Sequence, residues 1–400
     1  MVISQEAAKP YTPKEWAFWR VTIALMLASL LVFSTLYVFQ PLLPVFVDEF
    51  KVTATQSSVL MSASVLSMVI GLFILGFLAD RYGRILMMRL SLTGTVLLLA
   101  AMPFAASFEW LMIFRLLQGF FLAGVPAAAM GYLGEEVSSR DLGLAMTLYI
   151  SSNALGGMGG RVVSGYLTDI LDWQMMLLSV SAFGIITTIL FILLLPKERF
   201  FEKQYAPLSE DIRGMLIHLT NKNMLALFLM GLLLQIVFTA VWTYLPFYLQ
   251  SAPYEWSLKW ISFTYLAYGL GVLAPPLAGR ISNNLGLPKV MLAGLSLLLL
   301  GVWLTVVEPV IFILIGLGLI CMGFFVAHSM AAALVSKSAS HHRSGASGFY
   351  LISYYIGVAV GSTAVGNLWE TFKWIGIAST SLILLFVIIC IPIYKKMEDR

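Results

Sequence analysis

Twelve runs of apolar residues, each about as long as a bilayer crossing, limit this chain more than any other feature. They fall near 19–42, 57–78, 86–106, 110–132, 144–168, 174–195, 224–249, 260–278, 290–307, 310–335, 346–368 and 374–394. The hydrocarbon core of a membrane takes about 20 apolar residues in helical form. Inside it each backbone N–H and C=O must be satisfied by protein, so only helices or a closed barrel cross. Barrel strands are short and alternate in character, and these runs are long and continuous. The chain therefore reads as an all-α integral membrane protein. Composition agrees about the solvent: 60% of the 400 residues are hydrophobic and 11% charged, where soluble domains carry about 25% charged residues. The first run outlasts a signal sequence and lacks a small-x-small cleavage site before Gln40-Pro41-Leu42-Leu43-Pro44. It is read as the first span rather than a leader.

Charge orients the spans. Of the 24 Lys and Arg, nineteen fall in turns and tails on one side, Lys51, Lys259 and Lys373 on the other, and Arg115 and Arg161 within spans. Basic residues accumulate on the cytoplasmic side, so both termini are expected there. The net charge of +4 then reports topology and requires no nucleic-acid partner. Cys321 and Cys390 both lie in expected spans, which implies neither a disulfide framework nor a metal site.

The turn Gly76-Phe77-Leu78-Ala79-Asp80-Arg81-Tyr82-Gly83-Arg84 recurs in worn form as Gly279-Arg280-Ile281-Ser282-Asn283-Asn284-Leu285-Gly286, at an offset of 203. Other matches hold the register. Tyr37 and Pro41 correspond to Trp242 and Pro246, Gly119-Phe120-Phe121 to Gly323-Phe324-Phe325, and Tyr149, Gly156, Gly160, Gly165 and Trp173 to Tyr350, Gly357, Gly361, Gly366 and Trp374. A six-span unit has been duplicated. Because each unit has an even number of spans, both enter the membrane in the same sense, which makes two parallel six-helix repeats. The expected domains are an N-terminal bundle (1–195), a cytoplasmic linker (196–223) and a C-terminal bundle (224–400). In the linker Leu208, Ile212, Met215, Leu216 and Leu219 share a helical face, which fits an interfacial helix; a solvated linker is the other reading.

At this point the chain resembles the major facilitator superfamily (MFS) over essentially its full length. The pattern Gly76-x-x-x-Asp80-Arg81-x-Gly83-Arg84 between the second and third spans matches that family's signature loop. The resemblance implies a gating motif, latching the cytoplasmic ends of the halves in the outward-facing state. Asp80 would set its carboxylate at the N-terminus of a neighbouring helix, the one beginning near Ser344-Gly345-Ala346. Gly76 and Gly83 are expected to serve close approach and a tight turn. The plainer alternative is a basic loop that only sets topology.

Arg115, with Gln118, is the second mark. An arginine inside a span is costly unless it faces the bundle interior with partners; the resemblance implies a coupling role, and a structural arginine bound to backbone carbonyls is the alternative. The third is Gly156-Gly157-Met158-Gly159-Gly160-Arg161. Small residues at every fourth position let helices touch, so Gly156, Gly160, Gly165, Gly357 and Gly361 are read as packing positions, and Arg161 is grouped with coupling. The MFS resemblance places the first, fourth, seventh and tenth spans around a central cavity. Its polar and aromatic candidates are Tyr37, Gln40, Gln235, Trp242 and His328, with Asn153, Tyr354 and Tyr355 from the fifth and eleventh spans; Trp242 and Tyr244 also fit an interfacial aromatic belt. His328 titrates near neutral pH when unperturbed, and a histidine bonded to a carbonyl is the competing reading. No acidic residue falls at the middle of any expected span, which favours a neutral, amphipathic or anionic solute over a cation.

The expected activity is secondary active transport of a small solute across the cytoplasmic membrane of a bacterium by alternating access. Protons are the expected coupling ion and export the favoured direction. A phosphate-loop motif is absent, and no cofactor, metal or catalytic constellation is read from the chain, so an enzyme is not expected. The protein is expected to act as a monomer in contact with membrane lipid. A lipid or lysolipid transporter on the same fold and a non-transporting sensor derived from a carrier are the alternatives.

Overall fold

The structure, a computed structural model, describes residues 9–203, 217–338 and 343–384. Its helices in chain order are α1 Trp16–Phe50, α2 Ala54–Tyr82, α3 Arg84–Phe104, α4 Phe108–Glu136, α5 Leu142–Ile170 and α6 Trp173–Leu194. The second set is α7 Lys222–Gln250, α8 Leu258–Leu285, α9 Leu287–Leu304, α10 Val310–Ser338, α11 Arg343–Ala359 continued by a π turn to Ala364, and α12 Gly366–Leu382. The only strand-like pairing among the described residues is a single bridge between Tyr11 and Val137. The protein is an all-α membrane protein of two parallel six-helix repeats.

Among the described residues nine helices have the length and hydropathy of a crossing, and α11 with the start of α12 makes a tenth, bent pair at 81°. The bend splits the run expected at 346–368: α11 ends at Ala364, and α12 begins at Gly366 with a kink at Lys373, whose φ is 51°. The expected remainder of the twelfth span, with Cys390, lies outside the described residues, as do Leu208, Ile212, Met215 and Leu216 of the linker. Leu219 falls in a 3-10 turn, Ile217–Thr220. Helix α1 outruns its expected end at 42, passing through a turn at Gln40–Leu42 and on to Phe50. Helix α5 is 29 residues long but is not among the nine, and Gly156, Gly157, Gly160, Arg161 and Gly165 on it are buried in protein.

Local chemistry sets the ends. Thr53 and Gln56 form a reciprocal capping box that starts α2 and satisfies two otherwise orphaned donors. Gly83 ends it at φ 108°, and its counterpart Gly286 ends α8 at φ 85°; only glycine adopts such a φ without strain. The duplicated turn is therefore the same backbone device in both halves.

The halves are built alike inside as well. A Cβ on Gly156 would lie 2.5 Å from the Leu30 carbonyl oxygen, and one on Gly160 2.5 Å from that of Ser34, so α5 packs backbone to backbone on α1. In the second half Gly357 meets the Leu232 carbonyl oxygen at 2.6 Å and Gly361 that of Ile236 at 2.4 Å, which places α11 on α7 in the same way. Gly165 abuts Ser262 of α8 and so belongs to the contact between halves. Helix α7 is the most buried of the crossings and α1 the next. Large apolar side chains such as Leu97, Ile186, Leu193 and Leu273 are exposed on the outer helices, where lipid covers them.

Candidate functional site

Between the two halves lies a cavity of ≈ 250 Å³, lined by side chains from α1, α2, α5, α7, α8, α10 and α11. On the face opposite the turn 76–84 it is shut by polar contacts from one half to the other. Gln40 donates to Thr243 at 3.2 Å, Thr55 to Glu370 at 3.3 Å, Ser58 to Thr363 at 3.3 Å, and Thr363 to Ser62 at 2.8 Å. Tyr244 donates to the Ser362 carbonyl at 3.0 Å and reaches Ser58, so it is part of this seal rather than of an interfacial belt. Toward the face of the turn, the lining residue Ile150 is 54% exposed, and the cavity is reached from there.

Most of the expected cavity residues meet here. Tyr37, Gln40, Asn153, Gln235, Trp242, His328 and Tyr354 all line it, together with Arg161. Tyr355 does not; it borders a separate crevice between α2 and α11 with Val69, Phe73 and Leu351, because successive residues on a helix point about 100° apart. Asn153 is hydrogen-bonded to Ser29. His328 has its Nδ1 2.9 Å from the Tyr350 hydroxyl and its ring parallel to Phe324. Its partner is thus a phenol, not the carbonyl considered from sequence.

The two buried arginines are placed differently. Arg115, with Gln118, lies inside the first half and off the cavity. Its Nε donates to the Leu60 carbonyl, Nη1 to the Thr35 carbonyl and Gln118 Oε1, and Nη2 to the Leu36 carbonyl and Ser64 Oγ, at 2.6–3.3 Å. A guanidinium has five N–H groups, and each has an acceptor. Gln118 donates in turn to the Thr95 carbonyl. This is the carbonyl-bound arrangement, tying α1, α2, α3 and α4 together, and it leaves Arg115 no donor for a solute.

Arg161 faces the cavity. Its Nε donates to Gln40 Oε1 at 2.6 Å and its Nη1 to the Gly157 carbonyl at 2.7 Å. The guanidinium carbon stands 3.8 Å from the ring centre of Tyr37, 4.6 Å from that of Tyr268 and 5.6 Å from that of Tyr265. Gly157 leaves room for it, since a Cβ there would lie 3.4 Å from Nη1 and from the Tyr37 ring. Sequence reasoning missed Tyr265 and Tyr268, the aromatic wall supplied by α8; their i, i+3 spacing on one helical face was the available signal.

At the turn, Arg84 bridges Asp80, at 3.4 Å, and Glu135 at the end of α4, at 2.7 Å. The guanidinium lies across Gly131, where a Cβ would sit 1.0 Å from Nη1. Glu198 Oε1 accepts from the Ile85 N–H at 2.6 Å, so the carboxylate at the N-terminus of α3 comes from the segment after α6. Glu136 is buried and binds Arg199 through the Nε at 2.8 Å and the backbone N–H at 2.5 Å. Arg81 lies over the Phe77 ring at 4.2 Å. Gly131, Glu135, Glu136 and Glu198 were not singled out from sequence, because their partners lie between 47 and 113 residues away. Gly76 has only Ala127 Cβ nearby, at an ordinary 3.8 Å; the close approach expected of it is absent in this conformation.

The family model described as Major Facilitator Superfamily matches residues 25–362 and 251–399. The chain belongs to this superfamily. It is 32% identical over 387 residues to the uncharacterized MFS-type transporter YybF of Bacillus subtilis (strain 168), covering 96% of both chains. It is 33% identical over 385 residues to the inner membrane transport protein YnfM of Escherichia coli (strain K12), covering 96% of this chain and 91% of that one. A mutant form of the nucleoside transporter NupG shares the fold with a TM-score of 0.79 at 16% identity, over 93% of this chain and 99% of the other. The MFS chain described here is accordingly a multi-pass membrane protein of a transporter family.

Proposed function

We propose that this MFS protein is a secondary active transporter that carries a small solute across the cytoplasmic membrane by alternating access. Residues 1–195 and 224–400 rock against each other about the cavity, joined by the linker 196–223. The observation that carries this reading is the cavity itself, closed on one face by hydrogen bonds between the halves and reached from the other. The distribution of basic residues puts the turn 76–84 and both termini in the cytoplasm, so the conformation is inward-open. The seal combines these side-chain hydrogen bonds, one of them to a carboxylate, with apolar packing: Phe39, Leu42 and Phe46 share one buried cluster with Leu245, Leu249 and Ile261 of the other half. Such hydrogen bonds contribute about 0.5–1.5 kcal/mol each.

Protons are the proposed coupling ion, with His328 as the imidazole among the lining groups. Export is the proposed direction, since the open face is the one from which a cytoplasmic solute loads. In the outward-open state the turn is proposed to latch the cytoplasmic ends, using Asp80, Arg81 and Arg84 on the hinge of Gly83. Single cysteines at Ile150 and Thr363, in a background lacking Cys321 and Cys390, test the reading in sided liposomes. Alternating access requires Ile150→Cys to be labelled from the cytoplasmic side and Thr363→Cys from the other side, the latter falling when Asp80→Asn is added. Labelling unchanged by Asp80→Asn removes the latch. Thr363→Cys that stays protected under every imposed pH gradient removes alternating access.

A further inference from the structure

We infer that the cavity takes an organic monocarboxylate, its carboxylate on Arg161 and its flat apolar body among the surrounding aromatic rings. The inference rests on the carrier reading above and names the substrate class of that site. Arg161 is more than nine-tenths buried, yet hydrogen bonds account for only its Nε and one N–H of Nη1. Beyond these two bonds the Tyr37 hydroxyl is the polar group beside the guanidinium, and no carboxylate lines the cavity. The aromatic faces of Tyr37, Tyr265 and Tyr268 stabilise the cation, but a ring face leaves the N–H fork without acceptors. A buried charge without a counter-ion is costly, and the fork geometry of guanidinium matches a carboxylate in two parallel hydrogen bonds.

Two further polar atoms of lining residues lack hydrogen-bond partners. Trp242 Nε1 and Gln235 Oε1 are buried without partners, although both residues line the cavity. The indole N–H is a second donor for an anion, and the amide oxygen an acceptor for a hydroxyl or ring N–H on the solute. The rest of the lining is mostly apolar or aromatic, including Phe238, Phe325 and Tyr354, with Gln40, Asn153, Thr239 and His328 as the remaining polar side chains. A primary amine would meet the Arg161 charge at close range. The volume of ≈ 250 Å³ lies below the drug-sized range of about 300–1,000 Å³, which suits a body of one ring.

Calorimetric titration of the purified full chain with benzoate, benzamide and benzylamine tests this. Benzoate is expected to bind at least about tenfold tighter than the other two, the worth of a charge-assisted hydrogen-bond pair. Arg161→Gln is expected to abolish that preference. Arg161→Lys keeps the charge without the fork, so it should retain the preference at lower affinity. Trp242→Phe should weaken benzoate about threefold or more while the order of the three ligands stands. Absence of saturable benzoate binding by the wild-type chain overturns the inference, and so does benzamide or benzylamine binding as tightly as benzoate. An unchanged preference in Arg161→Gln overturns it as well; should that variant not fold, loss of the preference in Arg161→Lys does the same. The cysteine-labelling experiment reads alternation without any solute, so a carrier that alternates but prefers amines keeps the transport reading and loses this one.

Discussion

Arg115 and Arg161 are both arginines buried in the membrane-spanning part of the first half, and they do opposite things. Arg115 has five acceptors for five N–H groups, drawn from α1, α2 and α4. Arg161 has two acceptors, three aromatic rings and an open cavity in front of it. A saturated guanidinium is a clamp, since any movement of its helices leaves a donor unsatisfied. An unsaturated one has donors to spare for a ligand, which is the role proposed for Arg161. The difference lies in acceptor count, not in depth of burial.

Substitutions can break this distinction or sharpen it. The largest effect on the fold is expected from Arg115→Leu, which removes the group joining three helices and costs on the order of 3 kcal/mol or more. A thermal midpoint in detergent within about 2 °C of wild type would erase the contrast. Arg161→Gln is expected to change stability by less than about 1 kcal/mol, because losing an undercompensated buried charge offsets the lost hydrogen bonds. Its transport rate in proteoliposomes should nevertheless fall about tenfold or more; equal destabilisation of the two variants would make both arginines structural.

Gln40→Leu sits between these extremes. Gln40 accepts from Arg161 and donates to Thr243 across the halves, so its loss should weaken the seal by about 1 kcal/mol. Labelling of Thr363→Cys from the far side should rise, and no rise would separate the arginine site from the gate. The smallest effect is expected from Gly157→Ala, whose Cβ would touch Nη1 and the Tyr37 ring at 3.4 Å. A shift of a few tenths of an ångström accommodates it, at under about 1 kcal/mol, with solute affinity reduced and the thermal midpoint kept. A drop in midpoint without a change in affinity would place that glycine among the packing positions alone.

The packing glycines were legible because their signal is local. Gly156 and Gly160 recur as Gly357 and Gly361 at one offset, and each meets the backbone of the first helix of its half. Most of the cavity list was legible through resemblance and symmetry; Tyr37 and Trp242 correspond by offset, and both line the cavity. The acidic partners at the turn were not. Glu135, Glu136 and Glu198 look like ordinary loop carboxylates in one dimension, and their roles come from helices folded against them. Tyr355 shows the reverse failure: it follows Tyr354 directly, yet helical geometry turns it away from the cavity.

What the sequence by itself determined is the set of crossings, their direction and the duplication. These follow from apolar length, basic asymmetry and internal repetition, and each is a property of a single segment in contact with lipid or water. Only the tertiary structure decided which arginine has an acceptor for every N–H and which faces the cavity. The Arg115 backbone acceptors on α1, Thr35 and Leu36, lie 80 and 79 residues away, and the Arg161 partner Gln40 lies 121 residues away. The number of acceptors a buried cation finds is set by which helices pack around it, and one-dimensional order does not contain that.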